Sequence, residues 1–496
     1  MNEYLKIERE MEWRDTLRKS MKNKARTDIP RVKMPEVSPE IRSHTYDEVN
    51  KGLTVEQAVN ESHRCLDCVD PTCISGCPVE INIPQFIKNI ERGEFLEAAK
   101  TLKETSALPA VCGRVCPQER QCESKCFYTI KLKKEAVAIG HLERFAADYE
   151  RQSGNISIPE TAPANGMKIA VVGSGPAGLA FAGDMAKAGY DVTVFEALHE
   201  LGGVLRYGIP EFRLPNEIVD VEIDGLKKMG VKFETNCIIG KTISQEDLKA
   251  EGYAGIFIGS GAGLPNFMNI SGENLIGVMS CNEYLTRVNL MQAADDESDT
   301  PVYKGKKVAV IGGGNTAMDA VRTARRLGAE EAMIVYRRSE EEMPARLEEV
   351  KHAKEEGITF LTLHNPTRYE GDERGRVQRM LLQRMELGAP DASGRRRPVE
   401  IEGDTVWIDV DEVIVSVGVS PNPLIPQSFS GLEVTTWGTI VVNSDTMQTA
   451  EESIFAGGDI VRGGATVILA MGDGRKAAKA MEAWLKNSDF SSREIK

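Results

Sequence analysis

Short apolar runs that end on glycine recur beyond residue 165. The run at 168–172 (KIAVV) leads into a glycine turn, then apolar positions at helical spacing from Leu179 to Ala188, then a second run at 191–196 (DVTVFE). The run at 307–311 (KVAVI) opens the same order again, with a glycine turn, a helical pattern and a strand at 332–336 (AMIVY). Residues 255–263 (GIFIGSGAG), 411–418 (DEVIVSVG) and 454–456 (IFA) read as further buried strands. Runs that are apolar throughout belong to strands covered on both faces, and strands alternating with helices predict parallel sheets. Before residue 165 the pattern changes. Residues 83–105 read as two short helices and 135–149 as another. Residues 1–45 are polar and interrupted by Pro30, Pro35 and Pro39, which predicts a charged helix and then an extended, solvated arm packing on a neighbouring domain. Residues 370–405 predict a β-hairpin insert with a charged loop.

Polar stretches rich in small residues at 151–165 and 292–305 are linkers. The organisation is then an arm at 1–45, a helical domain at 46–155, one α/β domain assembled from 160–295 and 421–496, and a second at 296–420. The chain leaves the first α/β domain, builds the second, and returns.

Composition narrows the function classes. At 496 residues, 41% hydrophobic and 27% charged, the chain is long enough for several cores. The net charge of −14 argues against general nucleic-acid binding. No stretch approaches the ~20 apolar residues of a membrane span. The charged N-terminus lacks the apolar core of a secretory signal, so a cytoplasmic location is expected. In that reducing compartment the ten cysteines are expected to be metal ligands or buried thiols rather than disulfides.

The glycine turns carry the first chemistry. Gly173, Gly175 and Gly178, with Pro176 and Ala177 between them, form a G-x-G-x-x-G turn between strand and helix. Such glycines give a tight turn, close approach of backbone to a pyrophosphate, and close helix–strand packing. Glu196 ends the second strand, where a carboxylate binds a ribose hydroxyl, and Gly203 lies in the glycine-rich loop after it. The second turn carries Gly312, Gly314, Asn315 and Thr316, with Ala317 in place of the third glycine. Its second strand ends in Arg337 and Arg338 instead of an acid, which fits a 2′-phosphate and therefore NADPH. The last strand ends in Gly458-Asp459, and Ala465-Thr466-Val467 open the final helix. In flavoproteins with two dinucleotide units such an aspartate binds the flavin ribityl chain, which assigns FAD to the first unit. The fold class is α/β: two Rossmann-like dinucleotide-binding domains preceded by a small all-α domain.

Eight of the ten cysteines fall between Cys65 and Cys126. Cys65, Cys68, Cys73 and Cys77-Pro78 form one group; Cys112, Cys116-Pro117, Cys122 and Cys126 form the other. Thiolates this dense need a metal to neutralise them. Four ligands suit zinc or an iron–sulfur cluster. The Cys-Pro pairs and the flavin motif favour two 4Fe-4S clusters. The isolated Cys237 and Cys281 read as buried thiols, and none of the six histidines shows metal-ligand spacing.

Taken in order, the cysteine-rich helical domain, the first fingerprint, the second fingerprint with its YRRS strand end and the terminal AGGD resemble one family over nearly the whole chain. That family is the small (beta) subunit of NADPH-dependent glutamate synthase. Residues 108–116 (LPAVCGRVC) and the Cys-Pro pairs carry the resemblance most specifically. Relatives include the larger subunit of ferredoxin:NADP oxidoreductases, also called sulfide dehydrogenases, and the N-terminal half of dihydropyrimidine dehydrogenase. The flavin–nicotinamide fold resembles that of adrenodoxin reductase.

The resemblance implies interleaved clusters, one held by Cys65, Cys68, Cys73 and Cys126, the other by Cys77, Cys116, Cys122 and Glu143, with Cys112 spare. Sequential ligation by Cys112, Cys116, Cys122 and Cys126 is the alternative. The implied reaction passes a hydride from NADPH to FAD and then single electrons into the clusters, so no catalytic side chain is expected. Asn2 follows Met1, so a glutaminase cysteine nucleophile is not expected, nor is an FMN barrel. The implied partner is a larger or smaller electron-accepting flavoprotein subunit, with the glutamate synthase large subunit favoured. A ferredoxin:NADP or pyrimidine-reducing partner is the alternative, and a zinc-stapled, non-catalytic interaction module is the reading from a different class.

Overall fold

The computed structural model describes residues 7–295, 297–392 and 394–487. Asn2 and the ends of the segments 1–45 and 421–496 lie outside the described residues. The first sheet has β1 (Lys168–Val172), β2 (Asp191–Phe195), β3 (Lys232–Glu234), β4 (Tyr253–Ile258) and β15 (Ile454–Ala456), in the order β15-β4-β1-β2-β3 and all parallel. Its apolar residues are the reason for burial on both faces: Ile169 to Val171 and Val194 have no measurable exposure. The helix Pro176–Lys187 starts at the first glycine turn, with Pro176 where a missing N–H costs nothing. The final helix, Val467–Asn487, packs across it. Contact is so close that a Cβ at Gly474 would stand 2.3 Å from the Ala177 carbonyl.

Leu264–Pro265 (β5) pairs with Val419–Ser420 (β14) in a two-residue ribbon where the chain crosses out and back. The second sheet contains β6 (Val278–Ser280), β7 (Lys307–Ile311), β8 (Glu331–Tyr336), β9 (Thr359–Thr362) and β13 (Glu412–Val415) in the parallel order β6-β13-β7-β8-β9. The second unit therefore begins with β6, upstream of the boundary at 296 read from sequence. β6 is too short to show as an apolar run, but Cys281, Tyr284 and Leu285 just after it are buried in the second core. The insert is a three-stranded antiparallel sheet of β10 (His364–Gly371), β11 (Val377–Pro390) and β12 (Arg396–Asp409), one strand more than a hairpin.

Helices Ile83–Glu91, Phe95–Lys103, Pro109–Val115 and Ile139–Ser153 build the N-terminal domain. Phe95 packs edge-on against Phe145 at 5.3 Å and Tyr149 at 4.8 Å. This core runs without a break into that of the first unit, from Phe86 and Leu142 to Phe181 and Met481. The arm is not a solvated tail. Arg14, Arg26 and Arg42 are buried because each meets a buried carboxylate: Asp67, Glu91 and Glu356.

Candidate functional site

Gly173 takes a φ of +99°, and its N–H reaches the Phe195 carbonyl at 2.8 Å, which ties the turn to the end of β2. A Cβ at Gly178 would lie 2.0 Å from the Gly173 oxygen, so glycine is needed there. Gly175 faces open space, with no atom within 4 Å of a Cβ built on it. That space belongs to a cleft of ≈ 430 Å³. Gly173, Gly175, Pro176, Ala177, Glu196, Gly203, Gly458, Asp459, Ala465, Thr466 and Val467 all line it, so the strand ends and helix starts of a split domain converge. Gly178 stands behind the turn.

Glu196 is fixed before any ligand arrives. One carboxylate oxygen accepts from the Ser174 N–H at 2.9 Å and the Ser174 hydroxyl at 2.6 Å; the other accepts from the Leu198 N–H at 2.9 Å. Asp459 accepts from the Ala465 N–H at 3.1 Å, and burial pushes its carboxyl up to about 6. Asp473 holds this corner by accepting from the Gly458 N–H at 3.1 Å and from Arg462 at 2.6 Å. Sequence reading missed both orienting residues. Ser174 was visible as the residue between two fingerprint glycines, whereas Asp473 gave no signal.

The second unit contributes Asn315, Thr316 and Asp319 to the same cleft. Gly312, at φ +145°, passes so near Ser416 that a Cβ would meet its carbonyl at 2.3 Å. Asn315 accepts from the Arg346 N–H at 2.8 Å. Arg120 of the helical domain donates to the carbonyls of Met343, Pro344 and Ala345 at 2.9, 2.8 and 3.1 Å, gripping the loop that leads to Arg346. Asp319 forms an ion pair with Arg213 of the first unit at 2.6 Å across the cleft, and burial pushes its carboxyl up to about 6. Gly312, Gly314, Arg337 and Arg338 are not part of the cleft lining. The two arginines diverge. Arg337 is exposed. Arg338 is buried and donates to Asp391 and to the Arg396 carbonyl, each at 2.8 Å, which anchors the insert.

The cysteines divide by space rather than by sequence. Cys65, Cys68, Cys73 and Cys126 line one small apolar cavity. Cys77, Cys116 and Glu143 all lie close enough to Cys122 to disfavour its charge. Cys126 thus stands with the earlier group. Cys112 also lies within reach of Cys77, Cys116 and Glu143, its thiol beside that of Cys116 and 3.5 Å from the Met471 sulfur in the final helix. Burial pushes Cys68 and Cys77 up to about 12 and Glu143 up to about 8. The Glu143 Oε1 atom is buried without a hydrogen-bond partner. Buried thiols and an orphaned carboxylate oxygen fit a cationic metal cluster, which would supply the missing positive charge.

Of the two isolated cysteines, one departs from the expected burial. Cys237 is half-buried and lines the cleft, while Cys281 is buried and donates to the Thr316 carbonyl at 3.3 Å. His352 does gather with Glu36 and Glu348 within 4.8 Å, but Lys351, Arg42 and Arg346 already neutralise those carboxylates. Among the described residues no helix is long and apolar enough to cross a membrane.

Residues 42–155 match the family described as dihydropyrimidine dehydrogenase domain II, 4Fe-4S cluster, and residues 167–474 match the pyridine nucleotide-disulphide oxidoreductases. The glutamate synthase [NADPH] small chain of Escherichia coli is 36% identical over 465 residues, covering 92% of this chain and 98% of its own. The NADPH-Fe(3+) oxidoreductase subunit beta of Geobacter sulfurreducens is 37% identical over 449 residues, covering 86% and 65%. The structure of Mycobacterium tuberculosis FprA in complex with NADPH superimposes with a TM-score of 0.55 at 20% identity, over 66% of this chain and 86% of that one, a likeness of fold.

Proposed function

From the premise that the chain belongs to the family of NADPH-dependent glutamate synthase small chains, we propose that it draws electrons from NADPH through FAD and two 4Fe-4S clusters and delivers them to the large subunit of glutamate synthase. When bound, the flavin takes a hydride and releases its electrons singly, and iron–sulfur clusters carry them one at a time.

The chain's own residues bind and orient. Gly175 leaves room for a pyrophosphate at the N-terminus of the helix Pro176–Lys187, whose free N–H groups favour an anion. Glu196, already held by Ser174 and Leu198, presents its remaining lone pairs to a ribose. Asp459 would hold the ribityl chain by hydrogen bond, and the helix start at Thr466 and Val467 would offer its N–H groups to the flavin. Asn315 and Thr316 receive the second nucleotide, and Arg337 its 2′-phosphate. Cys65, Cys68, Cys73 and Cys126 hold one cluster, and Cys77, Cys116, Cys122 and Glu143 the other.

The observation that carries this reading is the junction of cleft and thiols. Val115, the residue before Cys116, itself lines the nucleotide cleft, and Gln121 donates to the Thr466 hydroxyl at 3.5 Å. The inner thiol group and the cleft therefore share a wall. Anaerobic purification of the native complex tests the proposal, with the partner identified by mass. A large flavoprotein that gives glutamine- and 2-oxoglutarate-dependent NADPH oxidation supports it. A small subunit carrying flavin and a 2Fe-2S cluster instead assigns the chain to the ferredoxin:NADP branch and removes the glutamate assignment.

A further inference from the structure

The two thiol groups differ in their access to solvent. Cys77, Cys116 and Cys122 are buried, whereas Cys68 and Cys73 are partly exposed. Cys68, Leu66, Thr72 and Phe127 line both the cavity among the outer thiols and an open groove of ≈ 610 Å³ on the protein surface. The groove thus continues that cavity to solvent. Val69, 65% exposed, stands over it with the exposed Phe127, Ile130 and Leu132. This apolar face is held in shape. Residues Tyr128–Leu132 form a π-helical turn closed by Lys133 at φ 55°. Tyr128 is buried beneath, and its hydroxyl donates toward the carbonyls of Arg26 and Arg64 at 2.9 and 2.8 Å.

The rim is basic in an acidic chain. Arg9, Lys24 and Lys131 line the groove, and the exposed Lys125 and Lys133 flank it, against a net charge of −14 overall. Of the acids lining it, Asp67 is buried and paired with Arg14 and Arg18, which leaves Asp70 exposed. Apolar faces that are rimmed by charge mark docking sites, and opposite charge on a partner speeds encounter.

Resting on the electron-transfer reading above, we propose that this groove seats the electron-accepting partner subunit, which meets it with an acidic surface around an apolar centre. Its apolar centre covers Val69, Phe127, Ile130 and Leu132, and its carboxylates meet Lys24, Lys125 and Lys131. Seated there, it excludes water beside Cys68, the outer end of the line that starts at the nucleotide cleft.

The test uses the full-length holoprotein under anaerobic conditions, with oxidised flavodoxin, an acidic one-electron acceptor, as the probe. One NADPH reduces two flavodoxins by one electron each and leaves NADP⁺; the two neutral semiquinones take up the proton that NADPH supplies and one more from solvent. Bleaching of the protein's own visible absorbance by NADPH, without flavodoxin, reports loading and internal transfer. The double variant Lys24→Glu/Lys131→Glu is expected to lower the second-order rate with flavodoxin about tenfold at low salt and to flatten its salt dependence, with bleaching unchanged. Phe127→Ser is expected to lower that rate while the salt dependence is kept. Wild-type flavodoxin rates in both variants, with normal bleaching, would overturn the proposal. So would a tenfold faster rate after removal of residues 1–6, which would give the groove to the chain's own start. Failure of NADPH to bleach the wild-type holoprotein would instead sink the underlying electron-transfer reading.

Discussion

In the first nucleotide unit, the turn and helix approach so closely that a methyl at Gly178 would touch the Gly173 oxygen; in the second, the same position is Ala317, buried with its methyl in place. The strand ends differ as well. Glu196 is held rigid by Ser174 and Leu198, while Arg337 stands exposed. So does the means of attachment. The first unit shares one apolar core with the helical domain. The second is joined through ions: Arg213 with Asp319, Arg42 with Glu356, and Arg120 on three carbonyls. Glycine spacing therefore specifies a turn, and neither it nor the strand-end charge specifies how the unit is docked.

The largest effect is expected at the tighter turn. Gly178→Ala should cost about 3 kcal/mol or more at that site, because the obstacle is backbone that cannot rotate away. Purified protein should then lack flavin absorbance. Ala317→Gly, the reciprocal change, should leave NADPH oxidation within about twofold of wild type, since it removes only one methyl from the helix. Equal losses in both variants would show that the two turns share one packing constraint after all. Next comes the strand end. Arg337→Ala should raise KM for NADPH roughly tenfold or more with little change for NADH, because a charge-assisted contact to the 2′-phosphate is lost. Arg338→Ala should leave that ratio alone and loosen the insert, as its guanidinium is committed to Asp391 and Arg396. Steady-state kinetics with both nucleotides separates them. Arg42→Ala probes the ionic attachment: it should lower stability by about 3 kcal/mol, since Glu356 loses one of its buried partners. Denaturant unfolding reads this, and an unchanged midpoint would mean that Arg322 and Arg326 suffice.

These contrasts also set what could be read from sequence. Strands such as KIAVV and KVAVI were legible because residues covered on both faces must be apolar, and the glycine fingerprints because backbone clearance leaves no substitute. The interleaving of Cys126 with Cys65, Cys68 and Cys73 followed only from family resemblance, since spacing alone pairs it with Cys122. β6 was missed because a short strand carries too little pattern and gains its place from β13. The arm was misread as solvated because Arg14, Arg26 and Arg42 look like surface residues until their carboxylates, each far along the chain, are brought to them. Arg337 and Arg338 are adjacent in sequence, and only the position of the insert separates their roles.

The smallest expected effect concerns the strand that closes the second sheet. Glu412 opens β13 and is buried, with one oxygen accepting from the Gly305 N–H at 3.0 Å and the other without a partner. Burial pushes its carboxyl up to about 8. In the unfolded chain the same group ionises near its ordinary value of about 4.3. Below that value both states hold the proton and stability is at its fullest. As pH rises toward 8 the unfolded state releases the proton while the folded state keeps it, so stability falls; above 8 both are ionised and the loss is complete. Glu412→Gln keeps an acceptor for Gly305 and removes the ionisation. It should therefore be nearly neutral at about pH 4 and become stabilising as the pH rises to 8. Unfolding midpoints at the two pH values decide the matter. A gain of the same size at both would show that the carboxylate acts through packing, and that the ionic character of the second unit stops at its docked face.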